Sequence, residues 1–280
     1  MATETLSVAT RPRSPASPAR RARRRLGPGR PIPYGRLLGP ALLVAIWAAA
    51  SATGLLDPRK LSAPWTVAGT AADLISTGAL QDNILASLER AVSGFLIGAV
   101  IGTALALLAG TSRIGEALID GPMRIKLAIP TIGLIPLLIL WLGINEGFKI
   151  TIIAVAVAVY MYIQVFAGLT GIDQRYVELA QVQNYSRWEF LRHVVFPGAL
   201  PGFFVGLRLA VTASWLILIT VEQINALSGV GYMMSQAQLY AQTDIIVVGL
   251  VVYGIFGFAS DALVRFTERR VLGWRRTLTS

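Results

Sequence analysis

A short polar cluster follows one of the long apolar runs of this chain. The run at 202–221 ends at Glu222, and Gln223 and Asn225 come directly after it. Ionisable and polar side chains at the edge of a membrane-spanning segment are candidates for lining a solute path or closing a gate. We therefore treat Glu222, Gln223 and Asn225, together with Trp215 inside the run, as candidate path or gate residues. The alternative interpretation is that the cluster is simply solvated at the membrane surface.

Several kinds of chemistry are excluded by counting residues. The only lysines are Lys60, Lys126 and Lys149, and none follows a glycine, so a Walker A loop for ATP is absent. Cysteine is also absent, and His193 is the only histidine, which excludes a histidine or thiolate metal cluster and a catalytic histidine pair. We therefore predict a non-catalytic chain that binds no metal and no cofactor of its own.

Arg208 is a charged residue inside an apolar run, about six residues from its start. A charge in such a position is a functional candidate by default. A long arginine side chain close to the end of a span can instead reach the headgroups. The position favours this second interpretation.

The composition indicates a membrane protein. Hydrophobic residues make up 54% of the chain, charged residues 14%, and the mean hydropathy is +0.61. Soluble domains carry roughly 25% charged residues. Runs of about 20 apolar residues are long enough to span a bilayer as helices. Six runs qualify or nearly qualify: 37–56, 91–109, 125–142, 150–170, 202–221 and 245–264. The predicted fold class is an all-α, polytopic membrane helix bundle of about six spans, with the third span kinked at Pro130 and Pro136.

The distribution of basic residues predicts the orientation. With the N-terminus inside, 21 of the 25 lysines and arginines fall on the inner side and four on the outer side, as the positive-inside rule requires. Both termini are then cytoplasmic, and the net charge of +10 needs no nucleic acid to explain it. Residues 1–36 are predicted to be a disordered basic tail, acting as a topology anchor or as an arm for anionic lipid or a partner. Residues 37–276 form the membrane domain, and 277–280 form a cytoplasmic tail.

Glycines recur every fourth residue in two places, at Gly94, Gly98 and Gly102 and again from Gly198 to Gly206. Small residues at this spacing let helices approach closely in lipid. They mark either packing within one bundle or a seam between two copies, and the first is the commoner use.

The segment 171–201 is too long and too patterned for a plain connector between spans. Tyr176 to Gln183 has an amphipathic helical pattern, and Asn184 is suited to a left-handed helix terminator. Ser186 and Glu189 have the spacing of a capping box, which predicts a second helix that ends before Pro197. A helical hairpin in a cytoplasmic loop indicates a docking element for another protein.

This loop resembles the EAA motif of binding-protein-dependent ABC importer permeases. Glu178, Leu179 and Ala180 take the first three positions of the motif, Asn184 takes the glycine position, and the segment 194–197 takes the closing ones. The chain departs from the motif at Leu179, Asn184 and Phe196. Other segments are similar to the nitrate, sulfonate and taurine branch of the family. They are 87–90, 94–95, 129–130, 135–137, 141–143, 197–201, 206–208, Glu222 with 229–232, Asp261 and Trp274.

The resemblance implies a type I ABC importer permease in a bacterial plasma membrane. Two permease copies, most simply a homodimer, would pair within the lipid, and an extracytoplasmic binding protein would deliver a small anion such as nitrate, a sulfonate or taurine. A pair of cytoplasmic ATPases would bind ATP and Mg²⁺ and grip the loop. The residues implied in that coupling are Tyr176, Val177, Glu178, Leu179, Ala180, Gln181, Asn184 and Pro197. Import of a thiamine-precursor pyrimidine or another small organic solute, a secondary transporter and a membrane scaffold are the alternatives.

Overall fold

The structure is a computed structural model that describes residues 35–274. The predictions for the basic tail, apart from its last two residues, and for the tail at 277–280 concern residues outside this range. The described chain is helical throughout, with short turns. Its helices are α1 (Gly35–Ala52), α2 (Pro64–Ser76), α3 (Ala79–Thr111), α4 (Arg113–Ala128), α5 (Ile135–Leu142), α6 (Glu146–Thr170), α7 (Gln174–Val182), α8 (Arg187–Phe190), α9 (Phe196–Asn225), α10 (Val230–Leu239) and α11 (Thr243–Val271).

Four helices in the described residues are long and apolar enough to cross a membrane. They are α3, α6, the continuous helix Arg187–Asn225 that joins α8 to α9, and α11. A bent pair, α4 with α5, makes a fifth span if it counts as one. α1 is apolar but shorter, and whether it forms the sixth predicted span stays a prediction. The bundle described below is formed by residues from Ile46 onward.

The third predicted span, 125–142, is broken rather than kinked. α4 and the segment Thr131–Leu142 meet at 97°. The reason lies at Ile129, which has φ −87° and ψ 118°, because the ring of Pro130 excludes the α conformation from the residue before it. A single 3₁₀ turn, Thr131–Leu134, follows before α5 begins. The kink predicted at Pro130 is therefore a full break between two helices.

α6 is the central helix of the bundle, packed between α3 and α9. Both glycine stripes face it. A Cβ at Gly98 would lie 2.7 Å from Val157 Cβ, and one at Gly202 would lie 2.9 Å from Gly168 Cα, closer than any side chain tolerates. The glycines thus allow α3 and α9 to approach the backbone of α6, and both stripes serve packing within one bundle.

Two helices begin earlier than the predicted spans, and this changes the surroundings of two basic residues. α3 begins at Ala79 and α6 at Glu146, so Arg90 and Lys149 lie within helices and are buried at 4% and 3% exposure. Both belong to the four basic residues that the count by the positive-inside rule assigns to the outer side, with Arg59 and Lys60. A second, smaller apolar cluster lies nearby, where Val67 and Leu80 pack with residues of α10 and α11.

Candidate functional site: a buried ionic cluster and the exposed loop 171–201

Glu222 lies in the last turns of α9 and is enclosed, with 1% of its surface exposed. Ser87 Oγ lies 2.8 Å from both of its carboxylate oxygens, and Arg90 Nη1 donates to Oε1 at 2.8 Å. The backbone N–H of Gly231 and the hydroxyl of Tyr253 donate to Oε2, each at 2.9 Å. The carboxylate therefore accepts hydrogen bonds from three other helices: α3, α10 and α11.

Arg90 connects Glu222 to the start of α6. Its Nε and Nη2 donate to the two carboxylate oxygens of Glu146, at 2.6 and 3.0 Å, in a bidentate pair. The other donors bind the carbonyl and the hydroxyl oxygen of Ser228 at 2.7 and 3.0 Å. Lys149 Nζ donates to Glu146 Oε1 at 2.7 Å. Charge-assisted and bidentate hydrogen bonds of this kind are the strongest that side chains make.

The turn between α9 and α10 is shaped to bring backbone donors onto this cluster. Gly229 has φ +116°, a conformation that side chains rarely adopt. A Cβ on Gly231 would lie 2.6 Å from Glu222 Cβ. The N–H of Gly229 donates to Asn83 Oδ1, and that of Val230 donates to Ser87 Oγ, both at 2.8 Å.

We call Arg90, Lys149, Glu146 and Glu222 the ionic cluster. Two positive and two negative side chains balance, and three of the four are buried while the Glu146 side chain is 58% exposed. Buried charges persist only when they are paired and hydrogen-bonded. The cluster ties α3, α6, α9, α10 and α11 together at one end of the bundle.

The burial of Glu222 excludes the interpretation that it is a solvated interfacial residue in this structure. Its role as a gate residue stays a prediction, because an enclosed carboxylate lines no open path here. Gln223 is exposed and Asn225 is partly exposed. Trp215 stacks on Phe256 with ring centroids 5.5 Å apart, and it lies two turns from Glu222 beside a groove on α9. The four candidate path or gate residues therefore lie in different surroundings: Glu222 is buried, Gln223 and Asn225 are at least partly exposed, and Trp215 lies beside the groove.

The partners of Glu222 were not predicted from the sequence. A signal was available, because Ser87 and Arg90 continue the helical spacing of Gly94, Gly98 and Gly102 toward the start of α3. Positions on one buried face remain buried along the helix. Polar residues at those positions therefore need buried partners, and Glu222 was the acidic residue at the matching end of α9.

The loop at 171–201 folds largely as predicted. α7 ends at Val182, and Asn184 has φ +53°, the left-handed conformation that asparagine tolerates. Ser186 Oγ accepts the N–H of Glu189 at 3.3 Å, and Glu189 Oε2 accepts the N–H of Ser186 at 2.8 Å. The capping box is therefore confirmed, and it fixes the angle at which the chain leaves α7.

The second helix of the loop does not end before Pro197, and that prediction is wrong. α8 continues through a π-helical turn, Leu191–Val195, directly into α9. The N–H of Phe196 donates to the carbonyl of Leu191, five residues back. Pro197 is tolerated because proline fits the first turn after such a change of register. The second helix of the loop is therefore continuous with a membrane helix, and Pro197 does not separate them.

One face of α7 packs on the bundle and the other is open. Ala180 is buried, and Val177 is partly buried. The open face carries Tyr176 and Leu179, with 61% and 52% of their surfaces exposed, and Val182 with 79%. Glu178, Gln181 and Asn184 are also exposed, and Pro197 is partly exposed. Exposed apolar groups gathered on one short helix are typical of a surface that another protein covers.

No three carboxylate or imidazole side chains within residues 35–274 converge on a point that could hold a metal ion. The arrangement offers instead an exposed apolar helix, a second helix that runs without a break from Arg187 into the membrane, and an ionic cluster at the far end of that second helix.

Residues 94–273 match the family described as the binding-protein-dependent transport system inner membrane component. The match covers more than half of the chain, and the chain therefore belongs to this family. It is a multi-pass membrane protein and an ABC transporter permease.

The relatives include two aliphatic sulfonates transport permease proteins named SsuC. The chain is 38% identical to that of Escherichia coli K12 over 84% of this chain and 89% of that one. It is 34% identical to that of Bacillus subtilis 168 over 86% and 87%. Among solved structures, a bacterial ABC transporter involved in the import of the acidic polysaccharide alginate is similar in fold, with a TM-score of 0.61. It is 15% identical, and the match covers 85% of this chain and 95% of that one.

Proposed function

We propose that this chain forms the membrane path of an ATP-driven importer for a small organic anion of the alkanesulfonate and taurine type. A pair of ATPase subunits binds the face of α7 from the cytoplasm, two copies of the chain enclose the path, and a solute-binding protein delivers the anion to the outer face. The N- and C-termini lie in the cytoplasm in this arrangement, which agrees with the distribution of basic residues.

The observation that carries the proposal is the open face of α7. The chain has no Walker A loop, so work from ATP must enter through a contact with another protein. α7 presents Tyr176, Leu179 and Val182 for that contact, and the capping box holds it at a fixed angle. Movement of α7 reaches α9 through the continuous helix that begins at Arg187. Such a rigid connection can bias a bundle between two packed states.

The opposite end of the bundle offers a surface for the binding protein. Leu227, Leu239 and Tyr240 are exposed there, at 90%, 75% and 73%. Leu227 lies in the turn that covers the ionic cluster, and Leu239 and Tyr240 lie at the other end of α10. A protein docked on these residues would press on the turn that holds Glu222, so its docking would be coupled mechanically to closure of the outer end.

The substrate class is inferred from the two SsuC relatives, which are named for aliphatic sulfonates. We expect proteoliposomes that contain the permease, its ATPase and its binding protein to take up labelled ethanesulfonate or taurine only when ATP is present inside. Uptake by the same proteoliposomes without ATP inside is the background. A transporter that imports none of ethanesulfonate, taurine and nitrate contradicts the substrate assignment.

The coupling assignment is tested by Glu178→Lys, which places a cation on the open face of α7. We expect ATPase subunits to co-purify poorly with this variant, and uptake to fall about tenfold or more, because a reversed charge at an interface is repulsive. The matched control is Glu268→Lys, the same charge change near the end of α11. Normal ATPase association and normal uptake in the Glu178→Lys variant would show that α7 is not the coupling helix.

A further inference from the structure

The exposed faces of the long helices differ in character. On α3 the exposed positions between 92 and 108 are all apolar, among them Val92, Leu96 and Val100, and on α11 Leu250, Ile255 and Phe258 are exposed. Such faces suit contact with lipid. The exposed stripe of α9 is different. It carries Arg208, Thr212 and Gln223 at helical spacing, together with the apolar Val205, Leu209 and Leu216.

Arg208 lies well within its helix. It is about 25 Å from Asn225 at 1.5 Å per residue, whereas the hydrocarbon core of a bilayer is about 30 Å thick. Its side chain is 47% exposed. If Asn225 marks one edge of the core, Arg208 therefore lies about 5 Å from the other edge, a level at which its side chain can meet either the headgroups or a water-filled path.

Arg208 belongs to a charged group with a net charge of +1. Its Nε lies 3.4 Å from Asp261 Oδ1, while Arg265 Nη2 lies 2.8 Å from Asp261 Oδ2. The carboxylate is therefore held mainly by Arg265. Within residues 35–274, the long contact to Asp261 is the one hydrogen bond made by the Arg208 guanidinium.

A groove between α9 and α11 lies on the Glu222 side of this group. Its volume is about 370 Å³, within the range of small-molecule sites. The lining residues include Thr212, Trp215, Leu216, Tyr253, Gly254 and Gly257. A Cβ at Gly254 or Gly257 would meet no atom within 4 Å, so the glycines leave the groove open. Trp215, stacked on Phe256, forms a rigid apolar wall.

We propose that Arg208 is an anion-recognition residue of the solute path, which binds the sulfonate oxygens of a small organic anion that passes along the groove. The proposal rests on the proposed function, because it requires that the chain form a solute path. The planar guanidinium presents parallel N–H donors that match the oxygens of a sulfonate or phosphate. Arg265 keeps Asp261 from neutralising Arg208, and the apolar wall of Trp215 suits a short alkyl chain.

The test is uptake of labelled ethanesulfonate by the complete transporter in proteoliposomes. We expect Arg208→Gln to lower uptake about tenfold, while ATP hydrolysis stimulated by the binding protein stays within about twofold of wild type. Arg208→Lys keeps the charge and should restore part of the uptake. Asp261→Asn raises the net charge of the group and should preserve or increase uptake. Arg269→Gln, an exposed arginine further along α11, is the control.

The variants separate this role from a structural ion pair. If Arg208→Gln and Asp261→Asn lower uptake and ATP hydrolysis equally, the pair only supports the fold and the proposal is overturned. Unchanged uptake in Arg208→Gln overturns it as well.

The phosphate of a lipid headgroup presents anionic oxygens to Arg208 as a sulfonate does. Uptake in two lipid compositions distinguishes a headgroup from the transported anion as the ligand. We expect the loss in Arg208→Gln to be the same in pure phosphatidylcholine and with a third of phosphatidylglycerol added. A loss seen only with the anionic lipid assigns Arg208 to a headgroup and overturns the proposal. A wild-type transporter that imports none of ethanesulfonate, taurine and nitrate overturns the proposed function and this site together, whereas active wild type with an unaffected variant overturns this site alone.

Discussion

Glu222 and Arg208 lie about four turns apart on the same helix, and their surroundings differ in burial and in charge balance. Glu222 is enclosed in the ionic cluster, which is neutral and in which its carboxylate accepts hydrogen bonds from Ser87, Arg90, Gly231 and Tyr253. Arg208 is half exposed, belongs to a group with a net charge of +1, and makes one long hydrogen bond, to Asp261, within the part of the chain that the structure describes.

The difference separates charges that build the fold from charges that remain available to a ligand. A buried charge requires partners that satisfy all of its hydrogen bonds, and those partners then fix the helices that carry them. A half-exposed charge with an incomplete set of partners fixes little, but it can exchange a weak contact for a stronger one. One helix can therefore be anchored at Glu222 and offer a binding group at Arg208.

The largest expected effect is at the buried end of α9. Arg90→Met should lower the free energy of unfolding by about 3–5 kcal/mol, because it leaves Glu222 buried without its cation. Thermal and urea unfolding of the purified variant in detergent would measure the loss. The double variant Arg90→Met with Glu222→Met should recover part of it. A loss below about 1 kcal/mol would mean that the ionic cluster does not hold the helices together.

A smaller effect on stability is expected when alanine replaces a glycine at a close helix contact, and almost none when it replaces a glycine of the open groove. Gly98→Ala should destabilise the bundle by about 1–3 kcal/mol, because the new Cβ would lie 2.7 Å from Val157 Cβ. Gly257→Ala meets no atom within 4 Å and should be neutral or gain up to about 1 kcal/mol of helix propensity. The unfolding midpoints of the two variants, measured in the same assay, test this difference. Equal losses at the two positions would show that the groove is closed by another element in solution.

The smallest effect on stability is expected at the half-exposed ion pair of Arg208 and Asp261. Arg208→Gln should change the free energy of unfolding by less than about 1 kcal/mol, as exposed ion pairs do. The same unfolding assay, with Arg269→Gln as the control, measures the change. A loss close to that of Arg90→Met would place Arg208 among the residues that build the fold, and the contrast along α9 would disappear.

The local features of the loop at 171–201 were predictable because they depend on neighbouring residues. The left-handed Asn184 and the capping box of Ser186 and Glu189 are decided within a few residues of the chain. The end of the second helix was not predictable in the same way. Pro197 is typical of a helix terminator, but a π-helical turn precedes it and the chain continues through it as α9.

The sequence by itself determined that this chain is a membrane helix bundle, since hydrophobic run length and the absence of charge leave no other stable arrangement. It also determined the family, through the pattern at 178–197. Only the tertiary structure decided the partners of Glu222, which come from Ser87 and Arg90 on α3 and Tyr253 on α11, far away in sequence. The reason is physical: the depth of a residue along a helix is local information, whereas which buried charges meet depends on how the helices pack.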